Sequence, residues 1–330
     1  MSFTDRAYEA YWSASGLARP FTLAKYLRQK RAADREWQNS HPQPLVDLGT
    51  VEKLSVLPLV EFYAVHDDYG APRFRTESGV SYLVKADDKL ILFDVGYNQR
   101  REHPSPLLHN MAALGVSPDD LDAVMISHIH LDHVGGPHCQ AQRTFALSAE
   151  DVDLHGIPAY APAPMTHPTA KVETVTEGRK LWKGIASTGP LTRAIWLMGP
   201  ATEQSLLVNV RDKGLALIVG CGHPSLTRIL ARAQALIPAP LYAVMGGLHY
   251  PVTGSRVGKG RQNIIGSGKV PWLRITRGDA RAAVKALEVL DPHIVALSAH
   301  DSCDWTLDLF RGAFGERYRD VRVGEEIVIA

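Results

Sequence analysis

Cysteine is scarce in this chain: Cys139, Cys221 and Cys303 are the only three in 330 residues. So small and odd a set makes no disulfide framework, and reduced thiols are the expectation. Net charge is equally slight, +1 from 36 basic and 35 acidic residues, which excludes the strong whole-protein field of a general nucleic-acid binder. No apolar run reaches the roughly 18 residues that a membrane-spanning helix requires. The first residues, Met1 to Arg6, lead into polar helix formers rather than the apolar centre of an export signal. A cytoplasmic protein with no membrane contact is therefore expected. A Gly-x-Ser-x-Gly elbow is missing, which argues against a serine hydrolase, and so is a Gly-x-x-x-x-Gly-Lys-Ser/Thr loop for nucleotide phosphates. Solenoid-length repeats and low-complexity tracts are absent too.

Histidine, by contrast, is concentrated. His128-Ile129-His130-Leu131-Asp132-His133 packs three imidazoles and a carboxylate into six residues. Imidazole suits zinc, iron, copper or nickel, and a carboxylate beside it suits a hard or borderline divalent ion. Four such groups cannot all reach one tetrahedral ion, but they can be divided between two neighbouring ions, an arrangement that activates water for hydrolysis. The apolar stretch from Leu121 to Ile126 reads as a short buried strand running into the motif. Val134-Gly135-Gly136-Pro137 reads as the turn after it. The cluster therefore sits on a loop at a strand end, where functional groups are commonly carried.

His128-x-His130-x-Asp132-His133 after an apolar strand resembles the metallo-β-lactamase superfamily of hydrolases. A second match lies upstream, where Leu90 to Val95 and Gly96 resemble the early strand of that family ending in Asp94 and Gly. The resemblance covers roughly residues 50–305. It implies an α/β protein, an αββα sandwich with one or two metal ions held between the edges of two sheets. On that reading residues 1–45 are an added helical arm and residues 46–330 the catalytic domain. Asp94 is then a residue that orients a ligand histidine from behind, although a turn-forming Asp is the simpler alternative.

A two-metal site needs further ligands at other strand ends. His223 follows the apolar stretch Leu217 to Val219 and precedes a helix, and Gly220 and Gly222 permit close backbone approach. His300 closes Ile294 to Ala299, where the family places its last histidine. His249 follows Val244 to Leu248 in the same manner and is assigned, with Asp132, to the catalytic residues, as a ligand or as a proton donor to the leaving group. The chain departs from the common family pattern at Gly220-Cys221-Gly222-His223, where many members carry a bridging Asp. This variant, with Gly246-Gly247-Leu248-His249, resembles a smaller branch that includes enzymes related to dihydropterin ribofuranosyl-aminobenzene phosphate synthase. Cys221 is read as a small buried residue behind the ligands, with thiolate ligation as the alternative.

Residues 4–38 read as a basic helical arm interrupted at Gly16 and Pro20, a candidate dimer contact or cap. Residues 39–50 read as a linker. Ser225 is expected to cap a helix ending before Pro238. The stretch between Tyr250 and Gly278 is basic and glycine-rich. Its Arg256, Lys259 and Arg261, with Tyr250 at the pocket border, suit an anionic substrate such as a phosphate or carboxylate. Residues 151–190, proline-rich and without clear periodicity, are expected to form one wall of the pocket. The combined expectation is a hydrolase with two divalent ions, zinc before iron or manganese, acting on a small anionic molecule. An iron-dependent oxidoreductase on the same ligands is the second enzymatic reading. A nucleic-acid or partner-binding protein using the basic arm and the 250–278 loop is the non-enzymatic one.

Overall fold

The computed structural model describes residues 20–65, 73–253 and 268–330. After helix α1 (Pro20–Gln38), strands β1 (Leu54–Val60), β2 (Ser81–Ala86) and β3 (Lys89–Phe93) form an antiparallel meander. Asp87, in the left-handed region at φ 51°, makes the tight β2–β3 turn. Helix α2 (Pro106–Ala113) leads to β4 (Ala123–Met125), α3 (Pro137–Gln142), β5 (Pro158–Ala161) and β6 (Lys171–Thr174). With β16 (Ile327–Val328) these strands make one seven-stranded sheet in the order β16-β1-β2-β3-β4-β5-β6.

The second sheet also has seven strands. It contains β7 (Arg179–Trp182), β8 (Ile185–Ser187), β11 (Leu206–Val210), β12 (Gly214–Val219), β13 (Leu241–Gly246), β14 (Ile294–Leu297) and β15 (Tyr318–Asp320), in the order β15-β14-β13-β12-β11-β8-β7. A separate hairpin, β9 (Leu191–Ile195) and β10 (Gly199–Glu203), stands beside it. Helices α4 (Leu226–Leu236), α5 (Arg277–Leu290) and α6 (Asp304–Phe314) belong to this half.

Side-chain alternation along the strands sorts the core into layers. Val56, Tyr82, Val84, Ile91 and Phe93 of the first sheet share one buried cluster with Val208, Ala216, Ile218, Ala243, Met245 and Ala296 of the second. The intervening residues point the other way. Leu57, Leu83 and Leu92 pack with Leu107 and Met111 of α2. Leu215, Leu217 and Val219 pack with Ile229 and Leu236 of α4, Leu287 of α5 and Phe310 of α6. Because the central strands bury both faces, their sequences read as nearly continuous apolar runs. The result is the expected αββα sandwich.

This topology also fixes where polar residues gather. β3 through β6 run parallel, as do β12 through β15. β1 is antiparallel to β2, which is antiparallel to β3, so β1 points the same way as β3. The carboxyl ends of β1, β3 and β4 therefore share one edge of their sheet, and those of β12, β13 and β14 share one edge of the other.

The 151–190 segment supplies β5 to β8 at the far edges of both sheets, with Tyr160 and Trp182 packed edge to face at 5.7 Å. Its strands are only three or four residues long, too short to show a period. Ser225 precedes α4 but forms no side-chain cap, and its φ is 88°. The arm helix α1 packs on the β9–β10 hairpin, where Tyr26 shares a buried cluster with Ala194 and Trp196. Tyr26 meets the fully buried Trp196 edge to face at 5.3 Å, and Asp34 pairs with Arg228 of α4 at 2.6 Å. Among the described residues, no helix is long and apolar enough to cross a membrane.

Candidate metal centre

Every predicted ligand lies just beyond a strand end. β4 delivers Ser127 to His133, β12 delivers Cys221 and His223, β13 delivers His249, and β14 delivers His300. Two groups result. His128, His130 and His223 offer ligand atoms within 4.8 Å of one another, and Asp132, His133, Cys221 and His300 do likewise. The ring centroids of His128 and His133 are 4.1 Å apart, so the groups adjoin. In the first, His130 Nδ1 lies 3.0 Å from His223 Nε2. In the second, Cys221 Sγ is 3.1 Å from both His133 Nε2 and His300 Nε2. Cys221 thus stands among the ligand atoms rather than behind them.

Close approach depends on glycine. A Cβ on Gly220 would lie 2.2 Å from Ser127 Oγ, and one on Gly247 would lie 2.2 Å from the Gly220 carbonyl and 2.5 Å from Asp301 Oδ2.

Carboxylates behind the histidines determine which nitrogens carry protons. Asp94, at the end of β3, accepts from the Ser127 amide and the Ser127 hydroxyl, both at 2.6 Å, and contacts His133 Nδ1 at 2.7 Å. Since the Ser127 proton goes to Asp94, the 2.9 Å contact between Ser127 Oγ and His128 Nδ1 requires the proton of His128 on Nδ1. His128 Nε2 is left with a lone pair, buried and, among the described residues, without a hydrogen-bond partner. The second sheet repeats the device. Ser298 Oγ donates to Glu61 at the end of β1 and lies 2.6 Å from His300 Nδ1. His300 Nε2 then also presents a lone pair, toward Cys221.

The electrostatics agree. Burial drives His128 and His300 far below the ordinary histidine pKa, with neighbouring imidazoles adding to the effect. Burial likewise pushes His130 down to about 4, against the opposing charge of Asp132. Burial disfavours the His133 cation too, but Asp94 and Asp132 outweigh it and hold its pKa up at about 9. Burial pushes the Cys221 thiol well up, reinforced by Asp132, Asp301 and Glu203.

A buried acceptor with no partner costs about 1–3 kcal/mol, and a divalent cation is the partner that a cluster of neutral imidazoles, a thiol and a carboxylate would share. The donor chemistry fits borderline metals such as zinc or iron better than magnesium or calcium. His128, His130 and His223 form one group that could hold an ion, and Asp132, His133, Cys221 and His300 form another.

Other predicted residues fall around this cluster. The His249 ring is 5.2 Å from that of His223, and its φ of 55° is unusual for a non-glycine residue. Its amide donates to Asp301 Oδ2 at 2.9 Å, which pins that conformation. Tyr250 is buried behind it, and burial pushes its phenol up to about 12. Arg256, Lys259 and Arg261 lie outside the described residues.

Four contributors went unrecognised in the sequence: Glu61, Ser298, Asp301 and Glu203. Glu203 is buried and accepts from the amides of Cys221, Gly222 and His223 at 3.1, 2.8 and 2.9 Å, holding the loop that carries two ligands. Burial raises its pKa to about 7, with those amides opposing. Glu61 does carry a sequence signal, since it is a lone acid at the end of an apolar strand, as Asp94 is. Asp301 directly follows His300. Glu203 ends the β9–β10 hairpin with nothing in the sequence to distinguish it.

Comparison with known proteins places this arrangement. The model of the metallo-beta-lactamase superfamily matches residues 75–137, which include the His-x-His-x-Asp-His motif. The fold and the motif are those of the metallo-β-lactamase superfamily. Over 245 residues the chain is 25% identical to 7,8-dihydropterin-6-methyl-4-(beta-D-ribofuranosyl)-aminobenzene-5'-phosphate synthase of Methanocaldococcus jannaschii, covering 62% of this chain and 80% of that protein. A shorter match, 39% identical over 67 residues, is to ribonuclease TTHA0252 of Thermus thermophilus and covers 20% of this chain and 14% of that one. Among solved structures, Tm1679, a metal-dependent hydrolase of the beta-lactamase superfamily, superposes with a TM-score of 0.56 at 19% identity, covering 83% of this chain and 98% of that one. That likeness is one of fold.

Proposed function

We propose that this metallo-β-lactamase-fold protein is a metal-dependent hydrolase with two divalent ions, acting on a small anionic substrate. The observation that carries the reading is the buried, unpartnered Nε2 of His128 within a ring of ligand-type side chains drawn from both sheets. When bound, the ions would lower the pKa of a water toward neutrality and polarise the oxygen of a carbonyl or phosphoryl group. Asp94 and Glu61 keep His128 and His300 in the tautomer that turns Nε2 toward the centre. Asp132, partly exposed at the margin of the cluster, is placed to orient the attacking water. His249, held in a strained backbone conformation by Asp301, is placed to give a proton to the leaving group.

The synthase name of the archaeal relative favours a second reading, in which an organic nucleophile replaces water in group transfer. Elemental analysis of protein purified without added metal, with a screen of phosphodiesters, lactones, thioesters and nitrophenyl esters, tests both. The expected outcome is zinc with turnover in at least one ester class, and loss of metal and turnover together in His128→Ala. Metal-bound protein inactive on all four classes removes the hydrolase and leaves group transfer. Bound iron with redox activity points instead to the oxidoreductase.

A further inference from the structure

Beside the cluster lies a cation that metal chemistry does not use. Arg193 projects from β9, and its Nη1 donates to the His223 carbonyl at 3.3 Å. It is partly buried, and among the described residues it has no carboxylate partner. An enclosed charge with no counter-ion is costly unless a ligand supplies one. Room has been made for this side chain. A Cβ on Gly268 would stand 2.0 Å from Arg193 Nε, and Gly268 itself has φ 64°.

Arg193 lines a cavity of about 210 Å³ together with Thr227, His249, Tyr250, Lys269 and Asp279. Asp279 does not serve as the missing counter-ion, because its carboxylate accepts from Lys269 at 2.6 Å and from the Thr276 amide and hydroxyl. The first turn of α4, an 11-residue helix, opens on the same space through Leu226 and Thr227. Ser225 places no side-chain cap over that turn, so its amides are not answered by the residue that ordinarily answers them. The basic stretch read from the sequence is flanked by Tyr250 and Lys269, and both face this cavity.

We propose that the cavity binds the phosphate group of the substrate, through Arg193 and the first turn of α4, and so presents the rest of the molecule to His249 and the metal cluster. A tetrahedral oxyanion accepts donors from several directions at once, which suits a guanidinium fork facing helix amides. Presenting a substrate to the cluster rests on the hydrolase reading; binding of the anion does not.

The test is calorimetric titration of the full chain with inorganic phosphate, and in parallel with acetate, for wild type, Arg193→Met, Arg193→Lys and His128→Ala. Metal content and thermal midpoint are recorded for each. The expected result is phosphate binding in wild type and in His128→Ala, weakened roughly tenfold or more in Arg193→Met and less in Arg193→Lys, with acetate weaker throughout. Arg193→Lys retains a charge at the same place, so graded loss across the two variants at unchanged thermal midpoint separates binding from folding. Phosphate binding unchanged in Arg193→Met, or abolished in His128→Ala alone, overturns the proposal, the latter because phosphate would then sit on metal. Acetate binding as tightly as phosphate overturns the choice of anion. Wild type without metal, but with Arg193-dependent phosphate binding, sinks the hydrolase reading and leaves this one standing.

Discussion

Replacing Asp94 by asparagine should uncouple both metal sites with a change of one atom. The Asp94 carboxylate meets three donors: the Ser127 amide, the Ser127 hydroxyl and His133 Nδ1. An asparagine can keep its oxygen on the Ser127 amide, but its NH2 then confronts the other two. To accept from that NH2, His133 must place its proton on Nε2, facing Cys221 Sγ at 3.1 Å. Ser127, no longer able to donate to residue 94, donates instead to His128 Nδ1, which sends the His128 proton to Nε2 as well. In each group the neutral ring then holds its proton on Nε2, the nitrogen that would face a metal ion. Disturbing a carboxylate that orients a ligand typically costs 10–100-fold in metal affinity. Each group has one such nitrogen, so roughly that penalty is expected in both, about 1.4–2.8 kcal/mol apiece.

Competition with a chromophoric chelator measures the two affinities, and nitrogen-15 spectra of the histidine rings in chelator-treated protein report the tautomers directly. The wild type should show His128 and His300 neutral with the proton on Nδ1, and His133 carrying both protons below pH 9, as its raised pKa of about 9 requires. The Asp94→Asn variant should move the His128 proton to Nε2. Wild-type metal affinity in Asp94→Asn, or a wild-type His128 already protonated on Nε2, would refute the tautomer argument.

Two other predictions follow from the same geometry. Metal uptake near pH 7 should release protons, because the raised pKa values of His133 and Cys221 mean that both give up a proton on ligation, whereas His128, His130 and His300 are already neutral. Affinity should therefore rise with pH, the His133 proton contributing up to about 9 and the Cys221 thiol beyond it; calorimetry in buffers of different ionisation enthalpy gives the proton count, and a count of zero would contradict it. In the metal-free protein the His133 term has the sign of a raised histidine: its stabilisation is complete below the unfolded value of about 6.5 and is lost as pH climbs through about 9. Gly220→Ala should cost about 1–3 kcal/mol and reduce metal content, since its Cβ falls 2.2 Å from Ser127 Oγ. Gly312→Ala, whose Cβ would meet nothing within 4 Å and whose backbone is not in the left-handed region, serves as the control in thermal denaturation and should leave metal content unchanged.

What the sequence disclosed, and what it hid, follows from how each residue does its work. The ligand loop after β4 was legible because four ligand-type side chains within six residues have no use in packing. His223 and His300 were legible because each ends an apolar run, and a strand buried on both faces announces itself by composition. Glu203 was not. It acts on the chain through three backbone amides of residues 221 to 223, and backbone donors leave no mark in a sequence. Cys221 was visible but misjudged, because a thiol between glycines after a strand looks like a small core residue until β14 brings His300 within 3.1 Å of it. Glu61 shows most clearly why such roles need three dimensions. It belongs to β1 of the first sheet, yet it receives the hydroxyl of Ser298 from β14 of the second, 237 residues later in the chain. That one hydrogen bond joins the two halves of the sandwich and, through Ser298, sets the proton on His300. The two sheets are thus tied together by the group that prepares a ligand, so a loss of Glu61 should disturb the second site through Ser298 and His300.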